Sequence, residues 1–179
     1  SNYWFESGTP SFLIKLIRAK EYDIEQMNQL QIGESAFSSY EIDNLQITPL
    51  LLQTGYLTIQ SYDPETRLYT LNYPNYEVED SFLTHLLGSF SRVETGSTTD
   101  YLWQLITALR ANKLDEFFQI LKVFFAQVDY TLQIKQEKYY QTIFYLIFKL
   151  IGLRIDAEVK TNAGRIDAVV EVRDHIYLF

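Results

Sequence analysis

Apolar positions along the chain follow two spacings, and the helical one dominates. Phe12, Leu13, Leu16 and Ile17 recur at helical intervals. Ser7-Gly8-Thr9-Pro10 precedes them with a helix-start pattern, Thr9 as N-cap and Pro10 at the first helical position. A polar, turn-rich stretch follows through Gly33, Ser35, Ser38 and Ser39. Thr48-Pro49 repeats the start pattern before Leu50, Leu51 and Leu52, and Gly55 is placed to end that helix. Two strand-like runs, Tyr56–Tyr62 and Arg67–Tyr73, flank Asp63-Pro64-Glu65-Thr66, which predicts a β-hairpin. Asn75–Arg92 reads as a further helix. Helices followed by a hairpin predict a winged-helix-like module.

The polar stretch Glu94-Thr95-Gly96-Ser97-Thr98-Thr99 interrupts this pattern and marks a boundary, giving one domain over 1–95 and a second over 96–179. Two helices are expected after it, Asp100–Ala111 and Leu114–Val128. Phe117, Phe118, Leu121, Phe124 and Phe125 form a broad apolar face on the second, which reads as core. Gln136–Ile151 is apolar nearly all round and should be central. Its apolar stretch, Tyr139 to Leu153, is broken by Gln141, Lys149 and Gly152 and is too short to cross a bilayer. Three strand-like runs close the chain: Leu153–Lys160, Arg165–Val172 and His175–Phe179. Asn162-Ala163-Gly164 and Arg173-Asp174 supply the turns between them. The expected fold class is α+β and mainly helical: a winged-helix-like module, then a helix and β-meander of the kind that begins a restriction-endonuclease-like α/β fold. The last run stops on Tyr177-Leu178-Phe179 with nothing to cover its sheet, so the chain reads as an internal piece of a larger protein.

Composition adds bounds. Of 179 residues, 47% are apolar and 21% charged, which calls for a packed core. Cysteine is absent, which excludes disulfides and thiolate metal sites. With no signal pattern at the N-terminus, the expected location is the cytoplasm, away from membranes. The net charge of −8 is uneven: residues 1–134 carry 8 Lys/Arg against 17 Asp/Glu, and residues 135–179 carry 7 against 6. Phosphate contact needs local positive charge, so only the last part is electrostatically permissive for DNA. No Gly-x-x-x-x-Gly-Lys-Ser/Thr occurs, so these residues hold no nucleotide-phosphate loop.

Glu137-Lys138-Tyr139-Tyr140, the long helix, Gly152, Glu158, Thr161 and Gly164-Arg165-Ile166-Asp167 resemble the PD-(D/E)XK nuclease superfamily. The branch in question is fused behind an AAA-ATPase-like domain in anaerobic bacteria. Tyr3-Trp4-Phe5-Glu6-Ser7-Gly8-Thr9-Pro10, Gln53–Ile59 and Tyr73–Val78 resemble the end of that ATPase-like region. The resemblance implies a core helix, a three-stranded meander, and a helix acid, a strand Asp and a Glu-x-Lys gathered around Mg2+. Hard cations take carboxylate oxygens, and the metal activates water and neutralises charge on the phosphate. By match, Asp167 is the strand metal ligand and Glu137 the helix acid; beside them, Glu158 is a candidate for a supporting carboxylate of the catalytic set and Arg165 a candidate phosphate contact. The Glu-x-Lys is expected directly after Phe179, and no such pair follows Asp167 in these residues.

Each residue also has a plainer reading. Asp167 can be a solvated residue of a half-exposed strand, and Glu137 can favour the positive end of its helix dipole. Glu158 can be an exposed acid, and Arg165 can pair with a nearby carboxylate. His85 and His175 lie in separate modules and make no joint site. Residues 96–134 can also be a purely structural linker between two modules, and for the chain as a whole two functions remain. In the first, the parent is an ATPase-coupled, Mg2+-dependent nuclease that contacts DNA through its C-terminal part, and the chain by itself is inactive. In the second, the chain is a non-catalytic module that binds protein or nucleic acid, with the upstream ATPase-like domain among its partners.

Overall fold

The computed structural model describes residues 11–20, 22–34, 47–128 and 136–161, with side chains of the last stretch described from 138 to 155. The chain divides into two compact units, residues 1–82 and 83–179, and the division falls inside a helix. The predicted start at Thr9-Pro10, the runs Arg165–Val172 and His175–Phe179, and both of their turns lie outside the described residues.

In the first unit, α1 (Ser11–Ala19) buries Leu13, Ile14 and Ile17 and leaves Phe12 outside. A 3₁₀ turn over Ile24–Met27 is capped by the Asp23 side chain and leads into β1 (Leu30–Gly33). This strand falls in the stretch read as turn-rich. It is four residues long, and its pairing with a distant strand is a tertiary fact that local pattern does not carry. α2 (Ile47–Gln53) starts earlier than the Thr48-Pro49 signal predicts. Thr48 is therefore inside the first turn, and its hydroxyl bonds the Tyr22 phenol at 2.9 Å instead of capping. Pro49 is still tolerated, because first-turn N–H groups have no intrahelical partner. The C-terminus follows expectation: Gly55 has φ +80°, Tyr56 N–H reaches Leu51 C=O and Gly55 N–H reaches Leu52 C=O, a Schellman motif. The hairpin also forms where read, as β2 (Thr58–Asp63) and β3 (Leu68–Asn72). The three strands make an antiparallel sheet in the order β1-β3-β2.

α3 (Tyr76–Ser91) begins with the Asn75 side chain accepting from Val78 N–H, and Glu77 and Glu79 favour the positive end of its dipole. α4 (Thr95–Arg110) begins inside the stretch read as a break, so Gly96 to Thr99 are helical. Gly88 permits the close return: a Cβ there would stand 3.2 Å from Val93 O and 3.4 Å from Thr95 Oγ1. α4 ends at Asn112, whose φ of 53° and bonds from Asn112 N–H to Leu109 O and Lys113 N–H to Ala108 O form a second Schellman motif. α5 (Leu114–Gln127) follows at once. Phe117, Leu121 and Phe124 of the predicted aromatic face are buried, but Phe118 is 48% exposed.

The largest departure is α6, which runs without interruption from Gln136 to Thr161. The strand expected over Leu153–Lys160 is helix. Tyr139, Ile143, Leu146, Ile147, Leu150, Ile151, Arg154 and Ile155 are all buried, so the helical period of the inner face continues past Gly152. Nor is the helix buried all round: Lys138, Gln141, Phe144 and Gly152 are exposed.

Candidate functional site

The long helix α6 decides where the candidate carboxylates can meet. Glu137 and Glu158 both lie on it, near opposite ends. With a rise of about 1.5 Å per residue, the two backbone positions stand on the order of 30 Å apart. Asp167 and Arg165 lie outside the described residues. Among the described residues, no group of three or more His, Asp or Glu side chains could hold a metal. The triplet Glu158-Val159-Lys160 carries the letters of Glu-x-Lys, but it precedes Asp167 and is helical, whereas the pattern needs it on the strand that follows.

The described part of α6 anchors this region to the rest of its unit. The Tyr139 phenol donates to Phe90 C=O, and the two rings pack 6.3 Å apart. Farther along, Arg154 is only 7% exposed. Its guanidinium donates to Thr84 Oγ1 at 3.3 Å and lies 5.6 Å from the centroid of the Trp103 ring. A buried cation is costly unless hydrogen bonds and a polarisable ring compensate for lost water, and both are present. Sequence reading passed over Arg154. The available signal is its place on the apolar stripe, three or four residues after Leu150 and Ile151, where a solvated arginine does not belong. His85 is half-buried on α3, and His175 lies outside the described residues.

Residues 135–179 match the model of the PD-(D/E)XK nuclease superfamily. The match begins beside α6 and covers every candidate residue named above, Glu137, Glu158, Arg165 and Asp167. Enzymes of this superfamily usually work with Mg2+ or another divalent metal. The described residues do not themselves assemble such a donor set, so no step can be derived through a metal from them. The chain is also similar to an uncharacterized protein in the vnfD 5′ region of Azotobacter chroococcum mcd 1, at 33% identity over 185 residues. That alignment takes in 99% of this chain and 36% of the relative, so the chain spans little more than a third of the relative's length. No solved structure matches the chain. Among the described residues, no helix is long and apolar enough to cross a membrane.

Proposed function

We propose that this chain is part of a metal-dependent, nuclease-like protein that hydrolyses phosphodiesters of nucleic acid, with the nuclease-like domain beginning near residue 135. The single observation that carries this reading is the superfamily match over residues 135–179. In the proposal, Asp167 is a metal-binding carboxylate on the matched segment and Glu137 supplies the helix acid. Arg165 contacts phosphate. Glu158, on the same helix as Glu137, is a further carboxylate of the proposed set and not a metal ligand. Mg2+ would be held by carboxylate oxygens and would supply the activated water. No Glu-x-Lys follows Asp167 in these residues, so the chain by itself is expected to be inactive. Residues 1–95 fit a winged-helix-like module following an ATPase-like region. The order of α1, β1, α2 and the β2–β3 hairpin, with the strands arranged β1-β3-β2, supports that reading. A cytoplasmic location completes the proposal.

The test is Mg2+- or Mn2+-dependent cleavage of plasmid and single-stranded DNA by three proteins: this chain, the full-length protein, and the full-length protein with Asp167→Ala. The reading expects cleavage by the full-length protein alone, reduced at least about 100-fold by the substitution. A folded full-length protein that stays silent with both metals would overturn it and leave the non-catalytic interaction module.

A further inference from the structure

The outer strand of the small sheet combines an open edge, an apolar shelf and an acidic setting. β2 is an edge strand in the order β1-β3-β2, and all six of its residues are exposed. Among the described residues, no strand pairs with its outer edge. The pairing with β3 slips by one residue at Gln60: Ile59 faces Leu71, Ser61 faces Thr70 and Tyr62 faces Tyr69. In a regular strand, residues 59 and 62 point to opposite faces. The bulge brings them to the same face, because their partners Leu71 and Tyr69 are two residues apart. The ring contact between Tyr62 and Tyr69, 4.6 Å between centroids, agrees with this geometry. Leu71 is fully buried, whereas Ile59 and Tyr62 are 48% and 43% exposed. Among the described residues, the core face of the sheet thus continues outward as an apolar shelf with nothing over it, beside backbone groups that no strand pairs.

Proteins commonly protect such edges with lysine, proline, charge or a β-bulge. Here the bulge at Gln60 and the terminal Asp63 are of that kind, while Thr58-Ile59-Gln60-Ser61-Tyr62 contains no lysine, proline or charged residue. Charge decides what can dock. Residues 1–82 carry 4 Lys/Arg against 12 Asp/Glu, a net of −8, while residues 83–179 carry 11 of each. Next to the shelf, the Tyr62 phenol is raised first by partial desolvation and then by the Glu34 carboxylate, Tyr69 and the Asp63 carboxylate. A second copy meeting this edge would bring two units of −8 together. We infer that the β2 edge accepts an extended, basic peptide segment of a partner protein, which adds a fourth strand and lays alternate apolar side chains on Ile59 and Tyr62. Backbone pairing gives such a complex its affinity, and the shelf and the acidic flanks give it preference. This inference does not depend on the nuclease reading.

The experiment titrates the 179-residue chain with two blocked peptides, one alternating valine with arginine and one alternating valine with glutamate. Isothermal calorimetry reads affinity, and amide hydrogen exchange by NMR reads the edge. The inference expects binding of the arginine peptide only, with exchange slowed at alternate amides of β2. Ile59→Lys and Tyr62→Lys, both at exposed positions, should each weaken binding about tenfold or more. It is overturned by no binding, by equal binding of the two peptides, by unchanged exchange along β2, or by affinity that ignores both substitutions. A concentration-dependent dimer of the chain that Ile59→Lys abolishes would also overturn it, by assigning the edge to a second copy.

Discussion

Gly55 and Arg154 show how single residues hold this chain, one through its backbone and one through its side chain. Gly55 sits at φ +80° in the Schellman turn that ends α2. A Cβ would meet no neighbour there, so the cost of substitution is conformational. Gly55→Ala should lower stability by about 1 kcal/mol, read as a shift in urea midpoint at unchanged slope. Arg154 makes its contribution by filling a buried position while bonding Thr84 and facing Trp103. Arg154→Ala removes the packing of the stem as well as the charge, and should cost about 2 kcal/mol. Arg154→Met keeps most of the volume and should cost less, which denaturation of the two variants side by side would check. At the hairpin tip, Glu65 N–H and the Thr66 hydroxyl donate to the Asp63 carboxylate and hold its pKa below the usual range. A depressed folded pKa means that this support is present above the unfolded value of about 3.9 and is lost as pH falls through the folded value. Asp63→Asn should therefore loosen the hairpin at neutral pH, with the difference from wild type shrinking in acid. Amide exchange at β2 and β3 across that pH range is the measurement.

Among the elements, α6 is where local pattern and observed structure part, and Gly152 is the residue that tests it. Leu153–Lys160 alternates well enough to read as a strand, and Gly152 looks like its boundary. In the structure Gly152 is an exposed helix position with open space around a Cβ and no left-handed backbone. Gly152→Ala should then stabilise the chain by about 0.5–1 kcal/mol through helix propensity. A loss of stability would mean that the helix does not pass through residue 152. The same competition explains what was legible elsewhere. The hairpin, the end of α2, α3, α5 and the body of α4 could be read because their signals are local: turn residues at 63–66, a glycine at 55, an Asn ahead of α3, and apolar spacing within one helix. The start of α4, by contrast, lies inside the polar run read as a boundary. β1 and the true start of α2 could not, because each depends on partners 26 or more residues away. Burial was only half legible for the aromatic stripe, since Phe117 and Phe118 are neighbours in sequence and yet one is buried and one exposed. For the candidate site, the motif names Glu137 and Glu158, and the backbone distance between them follows from the continuity of a helix that motif alone does not reveal.

Across the whole molecule, charge separates the two units, and on the proposed function this constrains where nucleic acid would be met. The first 82 residues carry all of the net −8, and the remaining residues balance to zero. A phosphate backbone is repelled by the first and tolerated by the second. On the proposed function, DNA contact belongs to the matched segment, with Arg165 as one of its phosphate partners. Replacing one phosphate-contacting cation by a neutral residue removes the release of about one counterion. Arg165→Gln in the full-length protein should therefore reduce the steepness of log affinity against log salt by about 0.9, with a uniform loss across DNA sequences. Lys15→Gln and Lys20→Gln provide the contrast, because both cations belong to the acidic unit. Their substitution should leave the slope unchanged. An unaltered slope for Arg165→Gln would remove Arg165 from the phosphate contacts. A reduced slope for either lysine variant would show that DNA reaches the acidic unit, and the division of labour drawn from charge would have to be abandoned.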